Sequence, residues 1–169
     1  MRPLAATAYP KTPAAPDPET RVSDDHHESL RLWLRLLTCT LMIERRVRAG
    51  LRERFAITLP RFDLMAQLER HRSGLRMNEL SRLLMVTGGN ITGIVDQLVK
   101  EGLVERVDDA SDRRAWRVRL TRAGDKAFAE MARAHEEWVV ELLSGLSRKD
   151  ADSLMHLLAR LKQVTLGKS

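Results

Sequence analysis

The chain has little with which to do covalent or redox chemistry. Its 169 residues include one cysteine and one tyrosine, and aromatics make up 4% of the total. A single thiol, Cys39, excludes an intrachain disulfide, so packing alone must hold the core, as suits a reducing compartment. The five histidines, His26, His27, His71, His135 and His156, show no metal-ligand spacing with Cys39 or with one another, so no metal site is expected. No nucleophile with a base, no carboxylate pair and no phosphate loop is visible, and Gly88-Gly89-Asn90 is too short for a nucleotide motif. Neither an enzyme nor a bound cofactor is expected. No apolar run approaches the roughly 20 residues of a membrane span. With 43% hydrophobic and 31% charged residues, the reading is one soluble, cytoplasmic globular domain.

The first 25 residues are rich in Pro and Ala and carry no long apolar segment, so they fit neither a secretory signal nor a packed fold. They are expected to form a disordered tail, with the domain over residues 26–169. The formal charge of +6 favours a polyanionic partner. Its distribution is uneven. From Leu30 to Arg61 there are eight arginines against two acids, whereas from Arg72 to Arg122 ten basic residues face seven acidic ones.

The most informative stretch is 78–124. Leu80, Leu83 and Leu84 fall on one face of an amphipathic run, and after a short turn Ile91, Ile94, Val95 and Leu98 recur at i, i+3, i+4 and i+7. Two helices this close in sequence bury their apolar stripes only by crossing steeply, as in a helix-turn-helix. Beyond Gly102, Leu103 to Val107 and the alternating Trp116 to Leu120 flank a polar tip, Asp108 to Arg114, which predicts a β-hairpin with a charged end.

The string Leu80-Ser81-Arg82-Leu83, then Thr87 to Leu98, Glu101-Gly102-Leu103-Val104, Asp112-Arg113-Arg114-Ala115 and Leu120-Thr121-Arg122-Ala123-Gly124 resembles the MarR family of dimeric bacterial transcription regulators. The resemblance implies a mainly α fold with a small β-hairpin wing. A winged helix-turn-helix lobe, about 58–121, would be flanked by long dimerisation helices at 26–56 and 122–166. It also implies a homodimer on a double-stranded DNA operator that is an imperfect palindrome, and repression relieved by a ligand.

The flanking sequence suits that frame. From Glu28 to Phe55 there is no Pro and one late Gly, enough for a helix of about 40 Å. Leu30, Leu34, Leu37, Leu41 and Phe55 share one side of it, while Leu36, Ile43 and Val47 lie well around from them, so it must be buried on more than one side. Thr58 and Pro60 can open the next helix, with Phe62, Met65 and Ala66 inside. Two more helices are expected over Arg122–Leu143 and Arg148–Leu166, the second opened by Ser147 and Asp150 in a variant capping box. Leu142, Leu143, Leu154, Leu157, Leu158 and Leu161 suit a dimer interface or an ordinary intrachain core.

The candidate DNA-binding residues are Thr87, Gly88, Gly89, Asn90, Thr92, Gln97, Arg113 and Arg114. Asn and Gln pair with adenine edges and Thr meets a thymine methyl, so the helix from Thr87 carries a major-groove reading face. Gly88 and Gly89 can admit a phosphate at the helix N-terminus or simply form the turn. The resemblance implies that an arginine of Asp112-Arg113-Arg114 enters the minor groove while the aspartate fixes the hairpin; narrow grooves attract such cations. Arg117 and Arg119 read as solvated-face residues, with phosphate contact open to them.

Relatives of this kind place an effector among the first helix, the second helix and the helix after the wing, often an aromatic carboxylate. On that resemblance Arg45, Arg48, Phe62, Met65 and Trp138 are the candidate effector residues, with Glu44–Arg48 alternatively a structural ion pair. The arginine excess also suits a coenzyme A thioester. A thiol-based redox sensor through Cys39 is the competing reading, although Cys39 lies well inside the first helix and the lone tyrosine, Tyr9, is in the tail.

Overall fold

The computed structural model describes residues 28–85, 88–109 and 112–167, without the side chains of residues 112–114. The expected tail 1–25 lies outside them. Six helices and three strands follow in the order α1 Glu28–Phe55, α2 Leu59–Arg70, β1 Leu75–Arg76, α3 Met77–Leu84, α4 Gly88–Lys100, β2 Val104–Asp109, β3 Asp112–Leu120, α5 Arg122–Leu143 and α6 Arg148–Leu166. The chain divides into two compact units at Met42/Ile43, inside α1. In the first unit Leu30, Leu32, Trp33, Leu41 and Met42 are exposed.

The second unit holds the core. Leu51 from the end of α1, Leu64, Met65 and Leu68 from α2, Leu80 from α3, Ile91, Val95 and Leu98 from α4, and Val104 and Val118 from the sheet are almost wholly shielded from water. These positions follow the helical and strand periodicities of the sequence, so each element gives its apolar stripe to one shared interior. Fully burying a side chain of this size contributes about 1.5–3 kcal/mol, which is why the periodicity decides the fold.

Local signals set the element ends. Thr58 occupies the N-cap of α2, but its side chain makes no capping bond; its carbonyl instead accepts from the Arg61 and Phe62 amides, both at 3.1 Å, with Pro60 in the first turn. In α3 the Glu79 carboxylate reaches back to the Arg76 amide at 2.7 Å. Ser147 caps α6 by accepting from the Asp150 amide at 3.2 Å, while its hydroxyl donates to the Asp150 carboxylate at 2.6 Å. Asp is one methylene too short to imitate the reciprocal Glu box, so it bonds the hydroxyl rather than the backbone. No residue of α6 is buried.

The wing is larger than a hairpin. β1 joins as a third antiparallel strand, Leu75 opposite Val118 and Arg76 opposite Arg117, in the order β1-β3-β2. Thr121 closes the wing onto α5: its Oγ1 accepts from the Gly124 amide at 3.0 Å and donates to the Gly102 carbonyl at 2.7 Å. A Cβ on Gly124 would stand 1.9 Å from the Leu103 carbonyl oxygen, so that crossing requires glycine.

Candidate nucleic-acid interface

α3 ends at Leu84, after which Met85 takes a left-handed conformation at φ 52°, and α4 begins at Gly88. α4 buries Ile91, Val95 and Leu98 and leaves Gly88, Gly89, Asn90, Thr92, Gly93, Asp96, Gln97 and Lys100 exposed. The amphipathic pattern thus places Asn90, Thr92 and Gln97 on the solvent side, where hydrogen-bonding groups can meet base edges. The Thr92 hydroxyl donates to the Gly88 carbonyl at 3.1 Å, leaving its methyl available as an apolar contact. A cleft between the two helices is lined by Met77, Asn78, Ser81, Arg82, Met85, Gly88 and Thr92. Sequence reasoning passed over Asn78 and Arg82, exposed polar residues on the outer face of α3; their spacing of four was the available signal. Thr87 lies outside the described residues.

Arg113 and Arg114 belong to β3, and their side chains lie outside the described residues. The base of the wing differs from the solvated tip expected there. Asp109 is buried, accepting from Arg76 Nε at 2.7 Å and Arg117 Nε at 2.9 Å. Arg117 also donates to the Gly74 carbonyl at 2.8 Å. It is therefore a half-buried structural residue rather than a solvated one, because the strand register turns Asp109 inward beneath it. Arg119 pairs with its cross-strand partner Glu105 at 2.7 Å. Arg106 pairs with Asp96 of α4, and its guanidinium sits 5.7 Å from the centre of the Trp116 ring.

The effector candidates divide in two. Arg45 and Arg48 are exposed on α1, and Arg48 donates to Glu44 at 2.5 Å. Phe62 is buried, its ring 5.5 Å from that of Phe128 and 5.2 Å from that of His135. Met65 is wholly buried. Trp138 lies over Gly50, where a Cβ would meet its ring at 2.8 Å, and tilts against Phe55 with 6.4 Å between centroids. These three are therefore core contacts here. Between the groups sits Asp63, half-buried, whose carboxyl is held above its ordinary range by burial; His135 and Arg48 oppose that shift and Glu44 adds to it. Cys39 is an exposed free thiol.

Among the described residues, no cluster of three or more His, Cys, Asp or Glu side chains could hold a metal ion, and no helix is long and apolar enough to cross a membrane.

Known proteins share this arrangement. The MarR family model matches residues 57–116, which run from just before α2 into β3. A MarR family transcriptional regulator from Silicibacter pomeroyi is 32% identical with a TM-score of 0.70, over 88% of this chain and 100% of that one. A mutant MarR from E. coli complexed with operator DNA is 25% identical with a TM-score of 0.69, over 82% of this chain and 99% of that one. The regulator BldR from Sulfolobus solfataricus shares the fold at 24% identity and a TM-score of 0.68, over 82% of this chain and 99% of that one. With a helix-turn-helix, a three-stranded wing and this likeness along most of its length, the chain belongs to the MarR family of DNA-binding transcriptional regulators.

Proposed function

We propose that the chain works as a homodimeric repressor, with α4 in the major groove and the β2–β3 tip at the flanking minor groove, released by an anionic aromatic compound or its coenzyme A thioester. The observation that carries the DNA-facing half is the glycine content of the outer face of α4. At Gly88, Gly89 and Gly93 an added Cβ would meet nothing within 4 Å among the described residues. A helical glycine costs up to about 1 kcal/mol relative to alanine, and no intramolecular contact here requires it. Bare backbone at a helix N-terminus suits the approach of a phosphate.

The homodimer is supported by α6, which exposes Leu154, Met155, Leu157, Leu158, Leu161 and Val164 and buries nothing within its own chain. Two reading helices related by a twofold axis meet successive major grooves, so the operator is an imperfect palindrome with half-sites about 10 bp apart. The ligand-facing half rests on Arg45 and Arg48, exposed cations on α1. Phe62, Met65 and Trp138 reach the ligand only where α1, α2 and α5 separate to admit it.

Sedimentation at micromolar concentration and footprinting on genomic fragments test the assembly: a dimer and a repeated footprint are expected, and a monomer with a non-repeated footprint overturns it. Asn90→Ala should cost about 1–3 kcal/mol at one base position per half-site. Replacing Arg113 and Arg114 together with Ala should instead weaken binding to many sequences and flatten its salt dependence.

A further inference from the structure

We infer that Arg106 is a positioning residue for DNA binding, a strut that ties the wing to α4 and cancels the charge of Asp96 on the reading face. The inference rests on the DNA-binding reading above. It concerns how the two DNA-facing elements are held, not whether they meet DNA.

Asp96 lies one helical turn beyond Thr92 and Gly93, on the same exposed face. Its side chain is 54% exposed. A carboxylate there, left alone, would face the phosphates of any duplex seated on α4 and repel them. Arg106 removes that charge by donating Nη2 to the Asp96 carboxylate across ten residues of sequence, from β2 to α4. The guanidinium is restrained a second time. Arg106 stands opposite Val118, which makes Trp116 its diagonal neighbour on β3, close enough for the ring to lie under the cation at 5.7 Å.

These contacts explain two features at once. Trp116 is 56% exposed, an unfavourable place for an indole unless its face serves as a platform. The Arg106 side chain is only 31% exposed, on the sheet face that it shares with Val104 and with its partner Val118. Held by a helix on one side and a strand on the other, Arg106 fixes the wing relative to the reading helix. With Nη2 given to Asp96 and the guanidinium beside the Trp116 ring, its role is geometry and charge balance rather than a phosphate contact.

The experiment measures duplex DNA affinity against salt for wild type, Asp96→Asn, Arg106→Gln and the double variant, each checked for folding by thermal melting. Arg106→Gln should bind roughly tenfold more weakly, because it leaves Asp96 uncovered. Adding Asp96→Asn should recover most of the loss and return the salt slope to that of wild type, because it removes the uncovered charge; the part it does not recover is the share of the strut. Asp96→Asn alone should bind at least as tightly as wild type, since it removes the carboxylate and leaves the Arg106 cation without that partner beside the DNA. If the double variant remains as weak as Arg106→Gln and its salt slope falls by about 0.9, Arg106 is a phosphate contact and the inference is overturned. Failure of the wild type to bind any duplex would instead overturn the DNA-binding reading itself.

Discussion

Arg117 and Asp109 face each other at the base of the wing, with Arg117 Nε 2.9 Å from a carboxylate whose side chain is only 2% exposed. Arg76, the residue before α3, completes the triad at 2.7 Å. One buried aspartate thus joins β1, β2 and β3 to the start of the helix-turn-helix. Removing it would take the shared carboxylate from two arginines whose side chains are each about two-thirds buried.

Asp109→Ala should therefore lower the unfolding free energy by about 2–4 kcal/mol, near the lower part of the range for broken buried pairs because each arginine keeps about a third of its side chain in water. Urea denaturation measures this directly. A loss below about 0.5 kcal/mol, typical of a surface site, would contradict the structural role of the triad.

Gly124→Ala and Gly93→Ala should move stability in opposite directions. At Gly124 the new methyl meets the Leu103 carbonyl oxygen, a backbone atom that cannot step aside, for a loss of about 1–3 kcal/mol or more. At Gly93 the methyl meets open space and removes a flexible residue from a helix, for a gain of up to about 1 kcal/mol. The stabilised Gly93→Ala protein should nevertheless bind DNA more weakly. Gel shifts showing unchanged or tighter binding would withdraw the argument from bare backbone.

Asp63 gives stability a pH dependence of unusual sign for a carboxylate. Its pKa is raised in the folded chain by burial, so the folded state holds the proton more tightly than the unfolded one. The favourable contribution is complete below the unfolded value of about 3.9 and is lost as pH rises through the raised folded value. His135 and Arg48, which favour the ionised form, and Glu44, which opposes it, are the charges that face it. Asp63→Asn should abolish this part of the slope, so the melting temperature of the variant should gain on wild type as pH climbs from 4. A constant difference between the two across that window would show that Asp63 titrates as it does in the unfolded chain.

Arg48→Met tests ligand release. Removing a cation that meets an anionic ligand should reduce affinity for aromatic acids or their coenzyme A thioesters about tenfold or more, measured by calorimetry. DNA affinity without ligand should stay within about threefold, and the coupling between ligand and DNA, typically about 1–3 kcal/mol, should shrink equally in both directions. Equal ligand affinity in both proteins would return Arg48 to its bond with Glu44 and nothing more.

The long elements were legible because periodicity is a repeated signal. Val47, Leu80, Ile91, Val95 and Leu98 each recur with neighbours at helical spacing, and each proves buried. β1 was not legible, since Leu75 and Arg76 are too few to show alternation and become a strand only by pairing with β3. The run Asp108-Asp109 looked like a charged tip for a similar reason. Which of two adjacent aspartates turns inward depends on hairpin register, a non-local quantity, and here Asp109 lies beneath Arg76 and Arg117 while Asp108 is exposed. Phe62, Met65 and Trp138 illustrate the remaining gap: an aromatic or thioether on an inner face has the same composition whether it packs against Phe128 and Gly50 or waits for a ligand.

α6 is a helix of 19 residues with no fully buried side chain, whereas most helical stability in proteins comes from packing an apolar face. If the chain pairs through α6 as proposed, the order of that helix is a function of how many copies are present. At dilutions where partners are scarce, α6 should be cut by protease while the wing and reading helix stay intact, and it should become resistant as concentration rises. A cell making few copies would then hold chains with the reading helix whole and the C-terminal helix trimmed, so expression level itself would set the fraction able to pair.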